Sequence, residues 1–247
     1  MAVLVSNESL TAIEWFKFNF ASSKNYNDVV RMMYDELYKM NIGCDFVHPA
    51  SENLEDYTLL VVPALYTASD SLLERLNEFV KNGGHIVYSF KSGFTDENVK
   101  VRTTRQPGMI SEACGITYSM FVEPKNVSLK GNPFEVGAED NYIETWMELI
   151  TPTTAEVLAY YDHPHWGQYA AITQNHYGKG IATYIGCMTS PAIMKGIGAC
   201  CETSRSLGSR PESGVSADYE VRHQSIRQGG SLLFQLLGLP SLLRVPT

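Results

Sequence analysis

Short apolar runs alternate with amphipathic segments along the chain, and this alternation predicts strands and helices in turn. Residues 58–62 are an apolar run rich in β-branched side chains, which is typical of a strand buried on both faces. Residues 72–80 carry apolar side chains at helical spacing, with Ser69 or Asp70 as the N-cap. After two glycines that end this helix, residues 85–90 predict the next strand. The unit is βαβ, so we expect parallel strands joined by a right-handed crossover.

The same pattern continues on both sides of this unit. Before it, residues 2–5 and 44–47 predict two strands, with an amphipathic helix at residues 27–40 between them. Two successive βαβ units predict an α/β fold with a doubly wound, mostly parallel sheet, in which functional residues collect at the carboxyl ends of the strands. After it, a hairpin turn at residues 176–180 indicates antiparallel additions to the sheet. The later predicted elements are strands at residues 142–149, 157–161, 169–174 and 181–185 and a helix at residues 191–206.

A resemblance to a known family is carried by residues 61–101, which read VVPALYTASDSLLERLNEFVKNGGHIVYSFKSGFTDENVKV. This segment closely resembles the middle domain of glycoside hydrolase family 42 β-galactosidases. Three further segments extend the resemblance to residues 2–207: VLVSNESLTAIEWF, QPGMISEACGI and YAAITQNHYGKGIATYIG. The resemblance implies a flavodoxin-like sheet of the class I glutamine-amidotransferase type in a trimerisation domain. It therefore implies self-association as a homotrimer, with the catalytic (β/α)8 barrel of the parent enzyme as the other partner.

The resemblance also divides the chain into two parts. Residues 1–207 are predicted to be the amidotransferase-like trimerisation domain. Residues 208–214 are rich in Ser, Pro and Gly, as flexible linkers are, and residues 219–223 and 232–236 suit one strand pair. A small β-sandwich domain begins at about this point in the resembled family. Residues 208–247 are therefore predicted to be a linker and the truncated start of a C-terminal β segment.

Composition and charge argue against some classes of binding partner. The 247 residues carry a formal net charge of −8 without a basic block, which argues against nucleic-acid binding and against a polybasic membrane patch. No apolar run approaches the roughly 18 residues of a membrane span, and the first residues do not read as a signal peptide. The five cysteines are scattered and odd in number, which predicts reduced thiols and a cytoplasmic location.

Hydrolases of this fold class carry a nucleophile on a sharp turn between a strand and a helix. The equivalent turn here is Lys91-Ser92-Gly93, without a cysteine and without a Gly-x-Ser-x-Gly pattern. Ser92 is the candidate for this elbow position, but a nucleophilic serine needs a base held by an acid. The histidines that could act as this base lie in later segments, and no relay from an acid through a histidine to Ser92 is visible in the sequence: His163, His165 and His176. We therefore predict a non-catalytic elbow.

Glycosidase chemistry needs two carboxylates on either side of the scissile bond, and in the resembled family both belong to the barrel. Alternation within residues 142–149 sets Glu144, Trp146 and Glu148 on the face opposite the apolar side chains, and Glu97 falls in a loop. The glutamates Glu97, Glu144 and Glu148 are predicted to be solvated or salt-bridged rather than catalytic. No catalytic residue and no cofactor is predicted.

The most metal-like cluster is Asp162-His163-Pro164-His165-Trp166. Two histidines two residues apart in an extended loop can point the same way, but a third ligand at a recognisable spacing is missing. A polar loop between two strands explains this cluster better, so no metal ion is predicted.

Two surfaces are candidates for contacts with other molecules. The loop after residues 85–90 mixes both charges and contains glycine, and its candidate binding residues are Lys91, Ser92, Asp96, Glu97 and Asn98. The resemblance places this loop at the rim of the barrel's cleft, near a galactoside, or at a contact between subunits; a capped surface loop is the alternative. The aromatic stretch after the first strand predicts an interface through Trp15, Phe16 and Phe18.

The function predicted from the sequence is a non-catalytic trimerisation domain of a β-galactosidase-type glycoside hydrolase. Two alternatives belong to other classes: an amidotransferase-like hydrolase, and a module that binds a sugar or another small metabolite at the strand-end loops. The missing elbow cysteine argues against the hydrolase. The sequence contains nothing that excludes the binding module.

Overall fold

The computed structural model describes residues 1–17 and 23–208. The predicted strand pair at residues 219–223 and 232–236 lies outside the described residues, and so does Phe18 of the predicted interface. The division of the chain near residue 207 stays a prediction.

Helices and strands alternate through the first third of the chain, and strands dominate the rest. The helices are α1 (Asn7–Trp15), α2 (Tyr26–Lys39), α3 (Asp70–Lys81), α4 (Ser111–Cys114) and α5 (Pro191–Gly208). The strands are β1 (Ala2–Leu4), β2 (Asp45–Val47), β3 (Leu59–Val62), β4 (His85–Ser89), β5 (Ile116–Thr117), β6 (Phe121–Val122), β7 (Ser128–Leu129), β8 (Ile143–Glu148), β9 (Thr151–Pro152), β10 (Glu156–Asp162), β11 (Ala170–Tyr177), β12 (Gly180–Ile185) and β13 (Cys187–Thr189). Among the described residues, no helix combines the length and the apolar character needed to cross a membrane.

The central sheet has eight strands in the order β2-β1-β3-β4-β12-β11-β10-β7. The first five strands of that order pair in parallel, and the remaining pairs are antiparallel. This confirms the predicted α/β architecture with a mostly parallel sheet and antiparallel additions. Smaller antiparallel pairings join β13, β8 and β6, and β5 to β9.

Strand β3 is buried on both faces, as its continuous apolar run predicts. Leu60 and Val62 belong to the core on the α3 side of the sheet, whereas Leu59 and Val61 belong to the core that includes side chains of α2 and α5. Successive side chains of a strand point to opposite faces, so both faces need apolar residues when helices cover both. Each buried aliphatic side chain contributes on the order of 1.5–3 kcal/mol.

Helix α3 begins at the predicted cap. The Ser69 hydroxyl accepts a hydrogen bond from the Leu72 N–H at 3.3 Å, and Leu73, Leu76, Phe79 and Val80 are buried along one side of the helix. The cap satisfies one of the N–H groups that the first turn leaves without an intrahelical partner. The helix is therefore fixed at its start by a local hydrogen bond and along its length by the core.

Helix α1 was not predicted from the sequence pattern. Ser6 caps it by accepting a hydrogen bond from the Ser9 N–H at 3.0 Å, and only Ser9, Ala12 and Ile13 are buried within it. A short helix with so few core residues gives a weak periodic signal. Its last residue is Trp15, which places the predicted aromatic interface at the end of a helix.

The predicted alternation in β8 is wrong from its third residue onward. Thr145 adopts a φ of 61°, and the pairing with β13 shifts register there. A residue in the left-handed region interrupts the regular two-residue alternation of the strand. Trp146, Met147 and Glu148 are consequently all buried, whereas alternation predicted that Glu148 lay on the polar face.

Candidate functional site

The turn after β4 brings Lys91 into the interior. Lys91 adopts a φ of 62° and its side chain is only 4% exposed. Its ammonium nitrogen lies 4.3 Å from the centre of the Trp146 ring and 5.2 Å from the centre of the Tyr66 ring. Burial lowers the pKa of Lys91 to about 8, while the charge of Glu148 acts in the opposite direction. Lys91 therefore holds a buried position against aromatic faces, where a cation is attracted to the ring quadrupole.

Glu148 lies beside Lys91 and is fully buried. Its Oε1 accepts hydrogen bonds from the Lys91 backbone N–H at 2.8 Å and from Trp146 Nε1 at 3.2 Å. Its Oε2 accepts a hydrogen bond from the Tyr184 hydroxyl at 2.8 Å. Burial raises the pKa of Glu148 to about 7, and these hydrogen bonds oppose the rise. The sequence predicts a solvated or salt-bridged acid at this position, and the solvated alternative is wrong because Glu148 is fully buried.

Ser92 does not stand free above the sheet. It is fully buried, its hydroxyl donates to the Ser89 carbonyl at 2.7 Å, and its Oγ accepts from the Leu65 N–H at 3.3 Å. These bonds join the turn after β4 to the turn after β3. The positive φ that marks a nucleophile elbow belongs to Lys91, one residue earlier than the sequence candidate.

The remainder of the candidate loop turns toward the surface. Asp96 closes a turn, because its Oδ1 accepts from the Asn98 N–H at 2.9 Å and from the Lys100 N–H at 3.0 Å. Glu97 and Asn98 are exposed. The structure thus separates the five candidate binding residues: Lys91 and Ser92 are interior, and only the last part of the loop faces solvent.

Two neighbouring clefts open at the carboxyl ends of the parallel strands. The first has a volume of about 460 Å³ and is lined by Ser6, Glu8, His48, Pro49, Ala50, Thr67, Ala68, Ser69, Ser71, Leu72, Arg75 and Glu97. The second has a volume of about 480 Å³ and is lined by Asn7, Glu8, Thr11, Ala12, Trp15, Phe16, Thr67, Glu97 and Val99. They share Glu8, Thr67 and Glu97. Of the candidate binding residues, only Glu97 lines either cleft.

Trp15 and Phe16 form an exposed aromatic patch at the end of α1. Their exposed fractions are 81% and 57%, which are high for such large apolar side chains. Side chains of this size usually find a place in a core or an interface. Together with the second cleft, the aromatic patch is an apolar surface that another molecule could cover.

The histidine cluster after β10 is arranged as a tight loop. The Nδ1 of His163 accepts hydrogen bonds from the backbone N–H groups of His165 at 3.1 Å and Trp166 at 3.2 Å. The His163 ring also stacks on the Trp166 ring, with their centres 6.1 Å apart. Within residues 1–17 and 23–208, no three His, Cys, Asp or Glu side chains are grouped so that they could hold a metal ion.

The buried carboxyl of Glu148 should make folding stability depend on pH. Its folded pKa of about 7 lies above its usual value of 4.5, so its stabilising contribution is full below pH 4.5 and is lost as the pH rises through 7. The loss over the whole range is on the order of 3 kcal/mol for a change in pKa of this size. We expect the Glu148→Gln variant to lose this component, measured as the difference in unfolding free energy between pH 5 and pH 7.5. An identical pH slope in parent and variant would mean that Glu148 does not titrate in this range.

Comparison with known proteins relates this structure to one family. The family model described as the β-galactosidase trimerisation domain matches residues 1–201. The β-galactosidase BgaB of Geobacillus sp. (strain Y412MC61) is 34% identical over 194 residues, which cover 75% of this chain and 27% of that protein. The β-galactosidase LacZ of Heyndrickxia coagulans is 33% identical over 153 residues, which cover 62% of this chain and 23% of that protein.

The fold comparison agrees with the sequence comparison. The crystal structure of the β-galactosidase from Bacillus circulans sp. alkalophilus matches with a TM-score of 0.73 and 27% identity, over 82% of this chain and 31% of that chain. The chain thus spans about a quarter to a third of the length of these relatives. From the family match and these relatives together, the chain belongs to the trimerisation domains of glycoside hydrolase family 42 β-galactosidases.

Proposed function

We propose that this chain is a non-catalytic assembly domain that forms a homotrimer through the aromatic patch of Trp15 and Phe16. The observation that carries the proposal is the 81% exposure of Trp15 at the end of α1. Tryptophan is enriched among the residues that dominate interface energetics, because it brings a large apolar area at low entropic cost. Membership of a trimerisation-domain family supplies the kind of partner, a second copy of the same chain.

A trimer places a geometric requirement on the patch. In a closed three-fold ring each interface is heterologous, so the aromatic patch of one copy meets a different surface on the next. A specific interface buries about 1,200–2,000 Å² in total, of which each large aromatic ring supplies roughly 150–250 Å². The two rings are therefore proposed as the centre of the interface, with Thr11, Ala12 and Val99 of the second cleft around them.

The state of the elbow supports a non-catalytic role. Ser92, the hydroxyl nearest the expected nucleophile position, is buried and hydrogen-bonded to backbone groups of two turns. Lys91, at the elbow itself, has its ammonium against two aromatic rings. A serine nucleophile needs access to substrate and an adjacent base. Ser92 is fully buried, and within residues 1–17 and 23–208 its hydroxyl bonds with backbone groups rather than with a histidine.

The parent protein is proposed to be a β-galactosidase whose catalytic carboxylates lie on a barrel outside this chain. The names of the relatives and the short share of their length that is matched support this proposal. The strand order β2-β1-β3-β4-β12 supports the finer proposal of a flavodoxin-like, class I amidotransferase-like sheet. Free thiols at Cys114 and Cys187 are in keeping with a cytoplasmic location, which we also propose.

Removal of the aromatic patch tests the proposed interface. We expect the double variant Trp15→Ser, Phe16→Ser to sediment as a monomer at concentrations where the parent sediments as a trimer. The matched control is Trp15→Phe, Phe16→Leu, which retains apolar side chains and should preserve the trimer. Both variants should melt as folded proteins, since neither side chain is part of the buried core. A serine variant that sediments like the parent would rule out this patch as the interface.

A further inference from the structure

The first cleft lies where the order of the sheet reverses. Strands β2 and β3 pair with β1 on its opposite sides, so the connection from β1 to β2 runs toward one edge of the sheet and the connection from β3 to β4 runs toward the other. Ser6, His48 and Thr67 follow β1, β2 and β3 respectively, and all three line this cleft. In open parallel sheets the loops diverge at such a switch point and leave a crevice, which is a preferred place for a small ligand. The volume of about 460 Å³ falls within the roughly 300–1,000 Å³ of such sites.

The charged groups of the cleft exclude an anionic ligand. Glu8 and Glu97 both line it, so their carboxylates repel phosphates and carboxylates. Arg75 also lines it, but its guanidinium is already engaged. It donates to Glu55 through Nε and Nη2, both at 2.7 Å, and to the carbonyls of Ser51 at 2.7 Å and Glu52 at 3.0 Å. The positive charge in the wall is therefore compensated locally, whereas the two carboxylates remain as acceptors for O–H donors.

The imidazole of His48 supplies a donor next to one of these acceptors. Its Nδ1 accepts a hydrogen bond from the Ala50 N–H at 3.2 Å, so the neutral ring carries its proton on Nε2. That Nε2 lies 3.8 Å from Glu8 Oε2, while the Ser6 hydroxyl donates to the same oxygen at 3.0 Å. The gap between His48 and Glu8 is longer than a direct hydrogen bond, which leaves room for a hydroxyl to bond with both.

Apolar surface completes the lining. Pro49, Ala50 and Leu72 contribute carbon atoms to the cleft, whose lining also includes Ser69, Ser71 and the two carboxylates. A ligand that matches this mixture carries many hydroxyls, has no charge and has a C–H face. We propose that the first cleft binds a neutral, hydroxyl-rich ligand of monosaccharide size. This inference concerns the cleft alone and does not depend on trimer formation.

An NMR titration of the full chain tests the inference, with methyl β-galactopyranoside and myo-inositol as neutral probes and inorganic phosphate as the anionic one. We expect saturable shifts of the Glu8, His48 and Ser71 amides with at least one neutral probe, and no saturation with phosphate. Glu8→Gln should weaken the binding by about tenfold, because it removes the charge from the central acceptor. Glu78→Gln, an exposed change on α3 outside the cleft lining, is the matched control and should leave the affinity unchanged.

Three outcomes would overturn the inference. The first is the absence of saturable shifts with both neutral probes, and the second is tighter binding of phosphate than of either. The third is an affinity that Glu8→Gln leaves at the parent value. Glu8 is an exposed residue, so the variant is expected to fold, and an unchanged melting temperature verifies this. Sedimentation of the same samples shows separately whether the chain is a trimer, so failure of the assembly proposal cannot be mistaken for failure of this one.

Discussion

Replacing Glu148 with alanine is expected to destabilise the domain by about 3–5 kcal/mol at pH 5, because each buried donor that loses its acceptor costs roughly 1–3 kcal/mol. The substitution leaves three donors without their acceptor: the Lys91 N–H, the Trp146 indole and the Tyr184 hydroxyl. Urea unfolding at pH 5, where Glu148 is protonated and its contribution to stability is largely present, measures the change.

Glu144→Ala is the matched control for this prediction, since Glu144 belongs to the same strand. Its carboxylate pairs with Lys24 at 3.2 Å, and both side chains are more than a third exposed. Exposed pairs of this kind contribute about 0–1 kcal/mol. If Glu148→Ala costs no more than Glu144→Ala, the buried cluster does not stabilise the domain in the way described. Glu148→Gln should fall between them, because an amide retains an acceptor for one of the donors.

The Gly93→Ala substitution is expected to lower the free energy of unfolding by about 3 kcal/mol or more. Two effects contribute to this loss, and the same substitution at a second glycine separates them. Gly93 has a φ of 72°, and a Cβ there would lie 2.6 Å from the Pro107 carbonyl oxygen. The left-handed conformation alone costs an L-residue roughly 1–2 kcal/mol. The clash adds to this cost, because a backbone carbonyl cannot turn aside as a flexible side chain can.

Gly131→Ala supplies the control for the conformational part. Gly131 has a φ of 73°, and nothing lies within 4 Å of the Cβ that would be added. We therefore expect this variant to lose only the roughly 1–2 kcal/mol of the left-handed conformation. Thermal unfolding of both variants gives the comparison. Equal losses at the two glycines would mean that the turn after β4 can move away from Pro107 at little cost.

Much of the fold could be predicted because the local sequence patterns agree with the burial of the residues that carry them. Strand β3, the Ser69 cap and the apolar face of α3 each carry their own pattern, and the structure confirms all three. Helix α1 could not be found in this way, because it buries only three residues and its aromatic end faces solvent. The available signal was the pair Ser6 and Ser9 at capping distance, which is weak without a periodic apolar face.

The interior site was missed because it depends on contacts between distant segments. The positive φ of Thr145 turns Glu148 toward the interior. A threonine in a strand pattern gives no sequence signal of a positive φ, because β-branched residues favour regular strands. The donors that satisfy Glu148 come from the turn after β4, from β8 and from β12, so sequence spacing cannot reveal them. Lys91 is predicted from the sequence to be a binding residue of an open loop, but its side chain is buried against aromatic rings, and a role in binding stays a prediction.

The central claim is that this chain assembles with itself, and its mass in solution tests that claim most directly. Multi-angle light scattering of the full chain over a range of concentrations gives the value without an assumption about shape. We predict a mass near three times 27.5 kDa, falling toward 27.5 kDa only on dilution. A mass of 27.5 kDa at every concentration would contradict the claim that these residues are sufficient for trimer formation.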